Sequence, residues 1–193
     1  MLHDQAYDIL FRDARSYPRW TDRPVDEGTL RSIYDIAKLG PTSANCSPMR
    51  LVFVRTPEGK EKLKPCLLSG NVEKTMTASV CAIIAYDLDF HEHLPRLFPF
   101  ADARAWFTGN AELIRNTAFR NGTLQAAYLM TVARGHGLDV GPMSGFDNAK
   151  VDAAFFAGTS FRSNFLCLLG HADHSGMDAR APRFDFDEVC RFA

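Results

Sequence analysis

Apolar side chains return at helical spacing after residue 26. Leu30, Ile33 and Ala37 form the repeat, Asp26 stands where a cap is needed, and Gly40 ends the run. Residues 51–54 and 80–85 are short unbroken apolar stretches and predict buried strands. Between them Thr56-Pro57 opens a short helix, because proline is tolerated in a first turn. A long helix is predicted from about residue 110 to 136, with Leu124, Ala127, Tyr128 and Thr131 marking one face and Gly122-Thr123 weakening the middle. Residues 138–143 read as a short strand or extended segment. Asp147 caps a helix carrying Val151, Ala154 and Phe155, and residues 165–169 form a strand apolar on both faces. Helices and strands interleave without a regular βαβ rhythm, so the pattern favours a layered α/β sandwich over a Rossmann unit.

Neither a repeat nor a linker divides the 193 residues, which read as one domain spanning 1–193. A chain of this length buries roughly 70% of its unfolded surface and needs no metal or disulfide to stay folded. A formal charge of −1 argues against nucleic-acid and anionic-membrane partners, which require a basic excess. The five cysteines form no C-x-x-C pair, and Cys81 and Cys167 fall inside apolar runs as small core residues. With no basic-then-apolar leader and no apolar stretch near the roughly 20 residues of a bilayer span, a cytoplasmic location is expected.

The two commonest nucleotide cradles, G-x-G-x-x-G and G-x-x-x-x-G-K-[ST], are absent, as is the G-x-S-x-G elbow. His91-x-His93 and His171-x-x-His174 lack a matching set of Cys or acidic ligands, so no metal is expected. The stretch Gly40-Pro41-Thr42-Ser43-Ala44-Asn45-Cys46-Ser47-Pro48 is different in kind. It offers many donors and acceptors from a loop whose shape two prolines hold, which suits the edge of a planar polar heterocycle. Arg15-Ser16 and Arg180-x-x-Arg183 have the chemistry to clamp one phosphate by forked, charge-assisted bonds. Asn71 and Lys74 sit one helical turn apart, and Gly145 lets a ligand approach backbone N–H groups closely.

In their order and spacing these clusters resemble the FMN-dependent nitroreductase family over nearly the whole chain. That family combines an Arg-Ser phosphate clamp, a Pro-[ST]-Ser-x-Asn loop, N-x-x-K, [IM]-x-Gly-Phe and a C-terminal basic pair. The stretches GPTSANCSP, LFPFADARAWF, FRNGTLQAAYL and GLDVGPMSGFD look like the malonic semialdehyde reductase subgroup of pyrimidine degradation. The chain departs from the broad family at four places: at Ala14 and at Pro18, positions commonly basic, around Pro48, where Ser47 and Met49 replace Gln and Trp, and at Ser144, where many members carry Glu.

The resemblance implies a three-layer α/β/α sandwich around a mixed, mostly antiparallel sheet, in an intertwined homodimer with flavin sites between the subunits. It implies FMN held by Arg15, Ser16, Pro41, Thr42, Ser43, Asn45, Asn71, Lys74, Ser144, Gly145, Arg180 and Arg183. NADH or NADPH is the implied reductant, in ping-pong turnover with a small-molecule acceptor, malonic semialdehyde in the subgroup. General nitro- or quinone reduction is the alternative within the class, and a non-catalytic flavin-binding or structural homodimer the alternative outside it. Residues 91–109, rich in Phe, Trp and Arg, read as a packed helical excursion or a substrate lid, with Arg104 the choice for holding a substrate carboxylate.

Overall fold

Strand β2 (Val80–Asp87) explains why the chain folds in layers: every side chain from Val80 to Ala85 is fully buried, although alternate residues point to opposite faces. A computed structural model describes residues 3–175, 177 and 179–193. It places β1 (Met49–Val54), β2, β3 (Asp139–Met143) and β4 (Phe161–Gly170) in one sheet of order β1-β2-β4-β3. All three strand pairings are antiparallel. An isolated parallel bridge joins Ser16 to Val140, so the N-terminal segment extends the sheet beyond β3.

The helices are α1 (Asp4–Tyr7), α2 (Glu27–Ala37), α3 (Pro57–Leu63), α4 (Ser69–Thr77), α5 (Leu94–Leu97), α6 (Ala111–Gly135), α7 (Asn148–Phe155) and α8 (Phe186–Val189). One layer sets Leu30, Ile33, Ala126, Leu129 and Ala133 of α2 and α6 against Val80, Ala82, Ile84 and Cys167. The opposite layer sets Leu63, Val151 and Phe156 against Cys81, Ile83, Leu166 and Leu168. The sandwich expected from the interleaved pattern is therefore the one formed.

Caps fall where the sequence puts them. Asp26, Thr56, Asn110 and Asp147 each accept a hydrogen bond from a first-turn backbone N–H. The backbone N–H and hydroxyl of Thr29 hold the Asp26 carboxyl below the usual carboxylate range. A depressed folded pKa stabilises fully above the unfolded pKa, and that contribution is lost as pH falls through the folded value. Asp26→Asn keeps an acceptor but removes the titration, so thermal melts from pH 6 down to pH 3 should show the parent losing more stability than the variant. Parallel losses would refute that assignment.

Gly122 does not interrupt α6. A Cβ there would lie 3.0 Å from Tyr86 Cβ, so glycine is what lets the helix cross β2 closely. Leu124 and Ala127 are exposed, whereas α6 meets the chain's own sheet through Ala126, Leu129 and Ala133, with Tyr128 half-buried against the same core. Residues 91–109 pack as a helical excursion. Leu94, Ala103 and Phe107 are buried with Phe90 against Cys46 and Ala118, while Phe100 and Trp106 stay exposed.

Candidate active site

The polar clusters assemble at two opposite edges of the sheet. At the β3 edge, the Ser16–Val140 bridge brings the N-terminal segment beside Gly141-Pro142. Ser16, Tyr17, Pro18, Lys74, Gly141 and Pro142 line a cleft of about 70 Å³. The indole of Trp20 lies against Gly141 and Gly170, where a Cβ would meet the ring at 3.2 and 3.0 Å, and this fixes the path of the segment. Lys74 comes from α4, one turn after Asn71, and among the described residues its ammonium has no carboxylate partner. Asn71 Nδ2 donates to Gly145 O at 2.7 Å, and a Cβ on Gly145 would collide with that amide at 2.2 Å. Asn71 thus holds the Ser144-Gly145 turn, leaving Ser144 exposed.

Ser16 and Pro18 also wall a second cleft of about 400 Å³, into which Arg15, Arg134, Arg180 and Arg183 converge. The two ends of the chain meet here: one Arg180 nitrogen donates to the carbonyls of Phe11, Arg12 and Ala14 at 2.8, 2.6 and 2.8 Å. Arg15 donates to the Arg12 and Ala14 carbonyls, and Arg183 to those of Ala181 and Pro182. Arg134, in the last turn of α6, donates to Leu10 O at 2.9 Å, but its buried Nε has no partner. Burial, with Arg180 nearby, pulls the Arg134 guanidinium below its ordinary pKa. Among the described residues none of these four arginines pairs with a carboxylate. Concentrated cations without counter-charge are the donor set of an anion site. Sequence reading missed Arg134, because an arginine near a helix C-terminus ordinarily serves the helix dipole.

At the β1 edge lies the loop of Pro41, Thr42, Ser43 and Asn45. Ala44, Asn45 and Ser47 all adopt positive φ, at 48°, 50° and 38°, a conformation costly for residues with a Cβ. Helix α6 holds the loop in that shape. Asn121 Oδ1 accepts from Ser43 N, Gln125 Oε1 accepts from Met49 N, and Tyr128 Oη donates to Pro41 O, at 2.9, 2.9 and 3.1 Å. Spacing of four and then three residues aligns these groups on one helix face. Asn45 Nδ2 donates to Leu97 O, and Thr42 Oγ1 accepts from Ser47 N. Gly40 lies so close to the Tyr128 ring that a Cβ would sit 2.1 Å from it. Below the loop, burial raises the Cys46 thiol to about 11, so it is a core group and no nucleophile.

The structure therefore gathers Arg15, Ser16, Asn71, Lys74, Ser144, Gly145, Arg180 and Arg183 at one edge and Pro41, Thr42, Ser43 and Asn45 at the opposite one. Three strand spacings, roughly 14 Å, separate β1 from β3. Arg104 joins neither group. Its guanidinium grips Glu92 through two bonds of 2.9 and 2.7 Å. The histidines also part company: His174 stacks on Tyr17 and lies 3.0 Å from Asp139, while His93 lies 3.7 Å from Asp87.

Comparison with known proteins bears on the family and the fold. The model of the nitroreductase family matches residues 12–171. A protein of Burkholderia lata described as a "putative NADH dehydrogenase/NAD(P)H nitroreductase" is 60% identical over 190 residues, covering 98% of this chain and 97% of its own. The structure of a "putative nitroreductase" from Bacillus subtilis superposes with a TM-score of 0.88 at 20% identity, covering 99% and 100% of the two chains. Another, from Exiguobacterium sibiricum and determined in complex with FMN, gives 0.85 at 21% identity over 96% of each chain.

Proposed function

The chain belongs to the nitroreductase family, and from that premise we propose that it is an FMN-dependent NAD(P)H oxidoreductase whose flavin site is completed by a second copy of the chain. The single observation that carries this reading is the group of four arginines, free of carboxylate partners among the described residues, around a cleft adjoining Lys74 and Gly141. The donor set fits the group: Arg134 Nε is buried with no acceptor, as a dianionic phosphate would require.

Arg15, Ser16, Arg134, Arg180 and Arg183 hold the phosphate. Lys74 would set a positive charge against the ring edge where electron density rises on reduction, and the backbone at Ser144-Gly145, which Asn71 braces, would face the same ring. FMN supplies the hydride relay between reductant and acceptor. The loop of Pro41, Thr42, Ser43 and Asn45 lies at the opposite edge of the sheet from the clamp of its own chain, and in the homodimer that the resemblance implies it would reach the cofactor held by the partner. The exposed Leu113, Phe119 and Leu124 of α6 supply apolar surface for that contact.

For the acceptor, we propose a small aldehyde acid of the malonic semialdehyde type. The stretches GPTSANCSP and GLDVGPMSGFD and the Ser144 substitution support that choice. Arg104 meets such a carboxylate only by exchanging Glu92 for it, so Arg104→Ala should raise the KM for the aldehyde and leave flavin content unchanged. General nitro or quinone reduction is the competing reading, favoured by the description of the Burkholderia relative. The ratio of kcat/KM for malonic semialdehyde to that for a nitroaromatic separates the two. For the shared reading, the purified protein should be yellow and bleach on anaerobic addition of NADH or NADPH. A colourless protein that takes up no added FMN would refute it.

A further inference from the structure

The reductant of the proposed reaction brings phosphates to a chain with no dinucleotide cradle, and the four-arginine cleft is already assigned to FMN. A separate cleft of about 340 Å³ lies at the β1 edge, where the strained loop enters the strand. Lys38, Asn45, Arg50, His93, Arg96 and Gln125 line it, and no acidic residue does. Arg50 is its fixed floor, donating to Ser47 O and Met49 O at 3.1 and 2.9 Å, paired with the buried Asp87, and stacked over Phe161 at 5.3 Å. Much of its charge is therefore spent on Asp87. His93 lies 3.7 Å from the same carboxylate.

Two cations remain for a ligand. Arg96 has neither an ion-pair nor a hydrogen-bond partner among the described residues. Lys38 pairs with Asp35 across open surface, an arrangement that a competing anion displaces easily. The amide of Asn45, bonded to Leu97 O, ties the loop to the short helix that carries Arg96. The cleft is thus built from the same loop whose Thr42 and Ser43 the proposed function sets at the flavin.

We propose that this cleft binds the phosphate groups of the reduced nicotinamide dinucleotide, with Arg96 and Lys38 as the principal contacts. The inference rests on the FMN oxidoreductase reading. Among the substrates of that reaction, the reductant alone carries phosphate whichever acceptor is used. Phosphate also suits several separated cations better than a single carboxylate does.

Anaerobic stopped-flow reduction of the FMN-loaded protein tests the proposal, comparing the parent with Arg96→Ala and Lys38→Ala. The apparent Kd for the reductant should rise about tenfold in each, the factor expected for one lost charge-assisted hydrogen bond, with little change in the limiting rate. Inorganic pyrophosphate should compete with the reductant in the parent and lose that effect in Arg96→Ala. An equal rise for NADH and NADPH assigns the cleft to the pyrophosphate, and a rise for NADPH alone assigns it to the 2′-phosphate. Either result supports the inference. Unaltered Kd values for both, or a defect confined to the oxidative half-reaction with a carboxylate acceptor, overturn it. Flavin content separates the two levels. A protein that takes no FMN overturns both readings, whereas a yellow variant with parental reductant affinity overturns only this one.

Discussion

Arg134→Ala should weaken FMN binding by about 10- to 100-fold while leaving riboflavin binding nearly unchanged. Arg134 enters the 400 Å³ cleft from the last turn of α6 and keeps a buried Nε without a partner. Burial and the neighbouring Arg180 both disfavour its charge in the free chain, so a bound dianion relieves a cost already present. A charge-assisted hydrogen bond contributes about 1.5–3 kcal/mol, which sets the range. Riboflavin lacks the phosphate and isolates that term. Arg134→Lys should recover only part of the loss, because an ammonium does not reproduce the guanidinium fork. Arg180→Ala should also lower FMN affinity, but it frees the carbonyls of Phe11, Arg12 and Ala14 as well and so tests the clamp less cleanly. Fluorescence titration of apoprotein with both flavins decides the matter. Equal losses for FMN and riboflavin would remove the arginine cleft from the phosphate.

Asn121→Ala should lower the melting temperature by about 3–10 °C. Its carboxamide is buried, and its Oδ1 is the acceptor for Ser43 N at the head of a loop with three positive-φ residues. Removing it leaves a backbone donor unpaired and lets the strained turn relax, a loss of about 1–3 kcal/mol. In a chain of this size each kcal/mol moves the midpoint by roughly 2–4 °C. Gln125→Ala should act likewise through Met49 N, and the double variant should lose less than the two single losses combined. Both side chains brace one loop, and once either is gone the remaining brace holds a partly relaxed segment. On the proposed function the same variants lose flavin affinity without touching the arginine cleft. A midpoint unchanged within a degree would show that the loop keeps its shape without α6.

Much of this arrangement was legible along the chain. Asp26, Thr56 and Asp147 cap helices because a short side-chain acceptor before an apolar repeat satisfies first-turn N–H groups wherever it occurs. Residues 80–85 and 165–169 announced buried strands because both faces of the sheet are covered by helices. The long helix was legible from 110 to 136, but its orientation was not. Leu124 drew attention to an exposed face, while the sheet is met through Leu129 together with small residues, Ala126 and Ala133, and Gly122 admits Tyr86. Close packing rewards the residue that lets backbones approach, and hydrophobic periodicity weights the residue that is large.

By itself the sequence determined the local elements, the inventory of cations and amides, and the loop of two prolines, since each of these depends on neighbours within a few positions. Only the tertiary structure decided that Arg15, Arg134 and Arg180 share one cleft, that Glu92 occupies Arg104, and that the loop lies a sheet's width from the clamp. Those are distances between residues far apart in the chain, set by strand order and by which helix face meets the sheet. No local pattern encodes them.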